Sequence, residues 1–267
     1  MTGRRTLTRY AYADDRHLRS RQEIFAYAEA PADPGWRISP VPWDGTQIVA
    51  DVGCGNGFDL RQLVPGHRCR HAFGLDLSAG MLRSLEDLRR TGKLSLIQAD
   101  AQRISLRDDS VDVALAMHML YHVPDIPAAL RELRRIVKPG GLVLASTNSD
   151  GTLAEVHDLL DAAVSDHLGR PARVRPALGF TTETGGAILA AHFPDITLHR
   201  HEVRLTFPSA QPVLAYLGSI REPVISQVGE PLDFDAVLGD VAARIERVIR
   251  VQGCFRASAR SGVFACR

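Results

Sequence analysis

The chain has 267 residues, of which 45% are hydrophobic and 24% charged. No apolar run approaches the ~20 residues of a membrane helix, and a largely disordered chain is excluded. Lys and Arg number 32 against 31 Asp and Glu, and this net charge of +1 removes bulk charge as an argument for a nucleic-acid or membrane partner.

Met1 to Tyr10 carries Arg4, Arg5 and Arg9 with no apolar stretch behind them, so no secretory signal is expected. Cys54, Cys69, Cys254 and Cys266 stand far apart, which points to a reduced, cytoplasmic chain without a zinc ribbon or a dense disulfide framework. From Asp15 to Ala30, the residues Leu18, Ile24, Phe25 and Ala28 fit one face of a helix closed by Pro31 and Pro34. The stretch Ala30 to Gly45 holds four prolines and both tryptophans, Trp36 and Trp43, and reads as a connection packed over something.

Strands and helices then alternate. Ile48–Val52 is a short apolar run stopped by glycines, consistent with a buried strand. His71–Leu75 leads to Asp76, and Ser78 can cap a helix carrying Met81, Leu82, Leu85 and Leu88, ended by Gly92. Leu94–Gln98, Val111–Met117 and Leu142–Ser146 read as further strands, with a helix over Pro127–Val137 stopped by Pro139-Gly140-Gly141. Strand, helix, strand at this spacing predicts right-handed crossovers and a parallel sheet with helices on both faces. Beyond Thr147 the pattern predicts helices over Thr152–Leu168, Thr184–His192, Gln211–Ile220 and Phe234–Gln252, a strand over Ile196–Phe207 and a last strand over Gly262–Cys266. No internal repeat or low-complexity tract is present.

The motif richest in chemistry is Asp51-Val52-Gly53-Cys54-Gly55-Asn56-Gly57, where a strand runs into three alternate glycines and then a helix. Glycines let a backbone approach a ligand closely, and a helix start offers free N–H groups. The dinucleotide fingerprint G-x-G-x-x-G does not fit, because position 58 is Phe, and no phosphate-cradling G-x-x-x-x-G-K-[ST] occurs. An acid about twenty residues later, suited to two ribose hydroxyls, is present as Asp76.

These residues resemble the class I S-adenosylmethionine-dependent methyltransferases. The glycine turn matches the family's first motif, where Asp51, Gly53, Cys54, Gly55 and Gly57 would surround the methionine part of the cofactor. Asp76 matches the ribose-binding acid, Asp100-Ala101 the place of an adenine contact, and Val137-Lys138-Pro139-Gly140-Gly141 the turn before the fifth strand. Leu77, Met81, Met117 and His118 complete the cofactor set that the resemblance implies, with Tyr12 and Arg21 added from an N-terminal helical lid over residues 1–45. The implied fold is a Rossmann-like, doubly wound, seven-stranded sheet, mostly parallel with an antiparallel last strand. Residues 46–267 would form the cofactor-binding domain, with a substrate cap over 208–255.

Within that family, Met117-His118-Met119-Leu120-Tyr121-His122-Val123-Pro124-Asp125 is similar to the corresponding segment of small-molecule methyltransferases related to quinone-biosynthesis enzymes. It lacks the Asn/Asp-Pro-Pro-Tyr tetrapeptide of many DNA and RNA amine methylases. His118 is the first candidate for a base or an orienting group, with Tyr121 and His122 beside it. His199 and His201 lack a third ligand at a fixed spacing, so no metal is expected and both read as solvated. The clusters Arg131/Arg134/Arg135 and Arg170/Arg173/Arg175 read as solvated or ion-paired faces. The expected reaction is methyl transfer from S-adenosylmethionine to O, N or C of a small molecule, placed in secondary metabolism. Trp36, Trp43, Phe180, Phe207 and Tyr216 suggest a moderately apolar acceptor, unless they are ordinary core. An RNA methyltransferase and a cofactor-binding scaffold without methylation stay open as alternatives.

Overall fold

Each apolar run in the first half of the chain becomes a strand of one sheet. The computed structural model describes residues 15–30, 33, 35–175 and 178–267, so Tyr10 and Tyr12 lie outside the described residues. The strands are β1 (Ile48–Val52), β2 (His71–Asp76), β3 (Leu94–Gln98), β4 (Val111–Met117), β5 (Val137–Asn148), β6 (Ile196–Phe207) and β7 (Phe255–Cys266). Across the sheet their order is β3-β2-β1-β4-β5-β7-β6. The first five run parallel, and β7 enters antiparallel between β5 and β6. This is the expected Rossmann-like sheet.

The helices are α1 (Arg16–Glu23), α2 (Leu60–Leu63), α3 (Ala79–Arg83), α4 (Glu86–Arg89), α5 (Ile126–Ile136), α6 (Ala154–Leu168), α7 (Gly185–Ala190), α8 (Gln211–Gly218), α9 (Arg221–Val228) and α10 (Phe234–Gln252). Their ends follow local chemistry. Ser78, Asp125 and Asp233 accept the backbone N–H groups of Met81, Ala128 and Ala236 and so cap α3, α5 and α10. None of these helices is long and apolar enough to cross a membrane.

Side chains from both sheet faces make the core. On one face α5 and α7 bury Leu130, Leu133, Ile136 and Leu189. The other face carries α2 to α4 and the segment bearing Ile38 and Val41. A third core lies beyond the sheet. There β6 and β7 continue as a two-stranded arm past the last pairing with β5, and Leu205, Phe207, Phe255 and Ala257 pack against α6, α8, α9 and α10.

Four expectations change. The helix read after Ser78 is two helices, because the Ser84 hydroxyl donates to the Met81 carbonyl at 2.7 Å, the acceptor a continuous helix would offer to Leu85. The first helix stops at Glu23, and a short turn over Ile24–Tyr27 follows. There Ala28 bridges to Leu205, and Glu29 N–H donates to the Arg204 carbonyl at 2.9 Å, drawing the chain out along β6. Strand β7 starts at Phe255, well before Gly262, and α9 was absent from the sequence pattern because Val224 is its one fully buried side chain.

Candidate active site

At the carboxyl edge of β1, β2, β4 and β5 lies a cavity of about 560 Å³. Its floor is the turn after β1. Gly53 and Cys54 donate their N–H groups to the Leu75 carbonyl at 2.7 and 2.9 Å, which ties that turn to β2. Gly53 and Gly55 sit in the left-handed region, with φ of 71° and 54°, and both line the cavity. A Cβ on Gly53 would lie 2.8 Å from Met119 Cβ, and one on Gly55 would lie 3.1 Å from Leu18 Cδ2. Backbone is therefore presented to the cavity where side chains would fill it.

Four carboxylates border this end. Asp51 is 2% exposed, and its Oδ1 has no hydrogen-bond partner among the described residues. Burial, with Asp59 adding to it, pushes that carboxyl well above the usual range. Asp76 accepts N–H bonds from Gly55 at 2.9 Å and Ser78 at 2.8 Å, so it braces the turn while facing the cavity. Asp100 accepts from the backbone N–H of Gln102 at 3.0 Å. Asp59 is 4% exposed and paired with Arg37 at 3.0 Å, and the guanidinium lies over the Phe58 ring.

His118 lines the cavity past the end of β4. It adopts φ 53°, uncommon for a residue with a side chain, and its N–H donates to the carbonyl and the hydroxyl of Ser146, each at 3.1 Å. Burial first, then the charges of Arg37 and His122, pull its imidazole down to about 3. His122 falls to about 4 through burial and the nearby Arg21. Past His118 the wall is made by Asn148, Thr152, Tyr216, Arg260 and Ser261, with Arg21 and His201 beside them. A ligand with a cationic end and ribose-type hydroxyls fits the first half. The second half carries arginine, neutral polar groups and Asp33 near His201.

Comparison with known proteins agrees. A methyltransferase-domain family model matches residues 50–145. The malonyl-[acyl-carrier protein] O-methyltransferase of Erwinia pyrifoliae is 31% identical over 199 residues, which cover 73% of this chain and 69% of that enzyme. The chain belongs to the class I S-adenosylmethionine-dependent methyltransferases. S-adenosylmethionine is its cofactor, and the orphaned Asp51 oxygen with the open glycine turn suits that cationic molecule. The enzyme of the same name from Serratia marcescens is 33% identical over 114 residues, and the match spans only 43% of either chain. A Haemonchus contortus phosphoethanolamine N-methyltransferase structure, holding S-adenosylhomocysteine, covers 100% of this chain and 60% of its own with a TM-score of 0.59. At 20% identity that likeness speaks for the fold alone.

The methyltransferase brings most of the expected site residues together. Arg21, Asp51, Gly53, Cys54, Gly55, Asp76, Leu77, Met81, Asp100, Ala101, Met117, His118, Tyr121 and His122 all line the cavity. Gly57 does not; its φ of 72° and the Leu85 side chain packed against it make it a turn residue. Of the aromatics read as candidates for an apolar acceptor site, Trp36 and Tyr216 line the cavity, whereas Phe180 and Phe207 are fully buried core and Trp43 packs under the Ile38 segment. From residues 208–255, Tyr216 alone reaches the cavity among the described residues.

The expectation of a solvated His201 is overturned. It is half-buried, stacks on Trp36 and lines the cavity, while His199 is exposed. Both arginine clusters contain ion pairs, with Arg135 on Glu132 and Asp108, Arg170 on Glu230, and Arg175 on Asp158 and Asp161. Sequence reasoning missed Arg37, Asp59 and the Gln22–Asn56 pair, in which Asn56 Nδ2 donates to Gln22 Oε1 at 2.8 Å. Such contacts join residues more than twenty positions apart, and no spacing rule reaches them.

Proposed function

We propose that this methyltransferase acts on a small, moderately apolar acceptor whose nucleophilic oxygen is already anionic, of which an acyl-chain carboxylate is the fitting case. One observation carries the reading. The histidines at the reaction end, His118 and His122, line the cavity half-buried near Arg37 and Arg21, which with desolvation pull both well below their ordinary range, so neither is tuned to remove a proton near neutral pH. Beyond them the wall offers Arg21 and Arg260, with Asp33 as the carboxylate on the His201 side. The related enzymes named above are O-methyltransferases of malonyl-[acyl-carrier protein], which supports an anionic oxygen acceptor.

The cofactor supplies a methyl group activated on a sulfonium. The protein's part is placement, since an in-line transfer needs the acceptor oxygen ~3 Å from the methyl and water kept away. On this reading the Gly53–Gly55 backbone and Asp51 hold the methionine end, Asp76 holds the ribose hydroxyls, and Asp100 with Ala101 faces the adenine. Leu77, Met81 and Met117 supply apolar wall. Neutral His118 orients the acceptor by hydrogen bonding, and Tyr121 and Tyr216 flank it. Arg21 offers its guanidinium to a carboxylate. Transfer to a carboxylate oxygen forms one C–O bond as the C–S bond breaks, and no proton has to leave. Residues 1–45 act as a lid, with 208–255 supplying the outer wall through Tyr216.

Incubation with labelled S-adenosylmethionine and a malonyl thioester, both free and on a carrier protein, tests the proposal. A labelled methyl ester found by mass spectrometry is the expected product. Methylation of a neutral phenol or amine, with every carboxylate untouched, would overturn it.

A further inference from the structure

Asp51 and Asp59 are the two fully buried carboxylates among the described residues, at 2% and 4% exposed. The guanidinium beside them is committed to one of the two. Arg37 Nη2 lies 3.0 Å from Asp59 Oδ2, its Nε–H donates to Asp59 Oδ1 at 3.2 Å, and its face rests 4.3 Å from the Phe58 ring centre. One hydrogen bond and an ion pair hold the guanidinium on Asp59, while its charge only partly offsets the carboxylates around Asp51. Asp51 Oδ1 keeps no hydrogen-bond partner among the described residues. The other groups facing Asp51 make its charge worse: Asp76 is a third carboxylate, and Cys54 is a thiol that burial and these acids keep protonated.

A buried carboxylate without a countercharge takes up a proton, and a cation brought beside it displaces that proton. The substrate and the product of methyl transfer differ here by one charge. S-adenosylmethionine carries a sulfonium, and S-adenosylhomocysteine carries a neutral thioether in its place. We propose that Asp51, left a charge short by the commitment of Arg37 to Asp59, holds a proton in the free protein and releases it when the sulfonium arrives, so that the site selects the charged cofactor over the spent one. The inference rests on the placement of the cofactor's methionine end at the turn after β1. Product formation removes the sulfonium charge and leaves only the ammonium of the methionine end, so Asp51 takes back part of its proton and the hold on the product weakens.

Titration calorimetry on the full chain, in phosphate and in Tris, reads the released protons directly from the buffer dependence of the binding enthalpy. S-adenosylmethionine should release more protons than S-adenosylhomocysteine. The ratio of their affinities should rise with pH, by at most about tenfold per pH unit for one linked proton. Asp51→Asn should bind with no difference between buffers. Asp59→Asn leaves Asp51 intact but frees Arg37 to pair with it, so proton release should vanish there too. Equal release with both ligands, or none with either, overturns the proposal. If Asp51→Asn leaves both affinities unchanged, the placement of the methionine end is what fails. If that variant weakens S-adenosylmethionine while enthalpies stay buffer-independent, the placement stands and the proton linkage is wrong.

Discussion

The Trp36 indole stacks on the His201 imidazole, with ring centroids 4.3 Å apart and planes inclined by 22°. The next residue, Arg37, is anchored on Asp59 behind the turn after β1. β1 and β6 are separated by β4, β5 and β7 in the sheet, so two adjacent residues tie opposite sides of the cavity edge together. The segment is held from below by Ile38, which is fully buried, and by Trp43 Nε1–H, which donates to the Ile38 carbonyl at 2.9 Å. Trp36 and Arg37 thus form a strap across the mouth.

Trp36→Ala should loosen that strap while leaving the sheet intact. An aromatic stack of this kind contributes about 0.5–1.5 kcal/mol beyond its buried area, so only a modest loss of thermal stability is expected. The larger effect should fall on the acceptor, whose KM should rise severalfold while cofactor affinity changes little. Steady-state kinetics with calorimetry on the same preparation checks this. An acceptor KM equal to that of the parent protein would mean that the strap does not border the acceptor.

How the sequence foreshadowed this site depends on distance along the chain. The glycine turn, Asp76 and Asp100 follow strands whose apolar runs are short and cleanly ended, and β1, β2, β3 and β4 lie where the pattern places them. Trp36 and His201 are 165 positions apart by their numbers, and their pairing depends on the order in which β7 and β6 join the sheet. The arm of β7 was hidden for another reason. Ala257 and Ala259 are buried against the helices, but alanine carries little strand signal in a pattern of Phe, Arg, Ala and Ser.

The pH dependence of His118 follows from its surroundings. A base titrating near its ordinary value of ~6.5 would make activity rise between pH 6 and pH 8. With the imidazole pulled down to about 3, turnover should show no His118 titration in that window. Stability should respond instead. The unfolded chain binds the proton at ~6.5 and the folded one does not, so unfolding is favoured as pH falls below 6.5. For His118 and for His122 the cost is about 1.4 kcal/mol per pH unit each until the folded values are reached. Urea unfolding at pH 7.5 and 5.5 should show that loss, and His118→Asn should reduce it. Asn also tolerates the left-handed backbone at this position, so the variant tests the ring and leaves the turn in place.

Two glycines of the turn should fail differently when substituted. A Cβ at Gly57 would collide with the Leu85 side chain, and its φ of 72° disfavours any side chain. Gly57→Ala should therefore destabilise the fold by about 1–3 kcal/mol, within the range for overpacking. A Cβ at Gly55 meets the end of Leu18 on α1, 3.1 Å away, and it borders the cavity. Gly55→Val should displace α1 and weaken S-adenosylhomocysteine binding more than it lowers the unfolding midpoint. Chemical denaturation and calorimetry separate the two outcomes; equal losses of stability and affinity in both variants would contradict the distinction.

Truncation gives the sharpest test of the lid, and the place of the cut decides what is learned. Removing residues 1–30 would take away Ile24, which is 2% exposed in the core formed by the arm and the C-terminal helices. It would also remove the bridge from Ala28 to Leu205 and the hydrogen bond from the Thr206 hydroxyl to Glu29 at 2.7 Å. Burying a side chain such as Ile24 contributes about 1.5–3 kcal/mol, so that deletion should destabilise the protein and confuse the readout. Removing residues 1–23 keeps those contacts and discards Leu18, Arg21 and Gln22, which line the cavity. The loss of the Gln22–Asn56 hydrogen bonds and of Leu18 over Gly55 should then weaken cofactor binding by about tenfold, roughly the 1.4 kcal/mol expected of one or two net hydrogen bonds. The unfolding midpoint should move little, because α1 has no fully buried residue of its own. Cofactor affinity as tight as that of the full chain would show that α1 covers the cavity without contributing to binding.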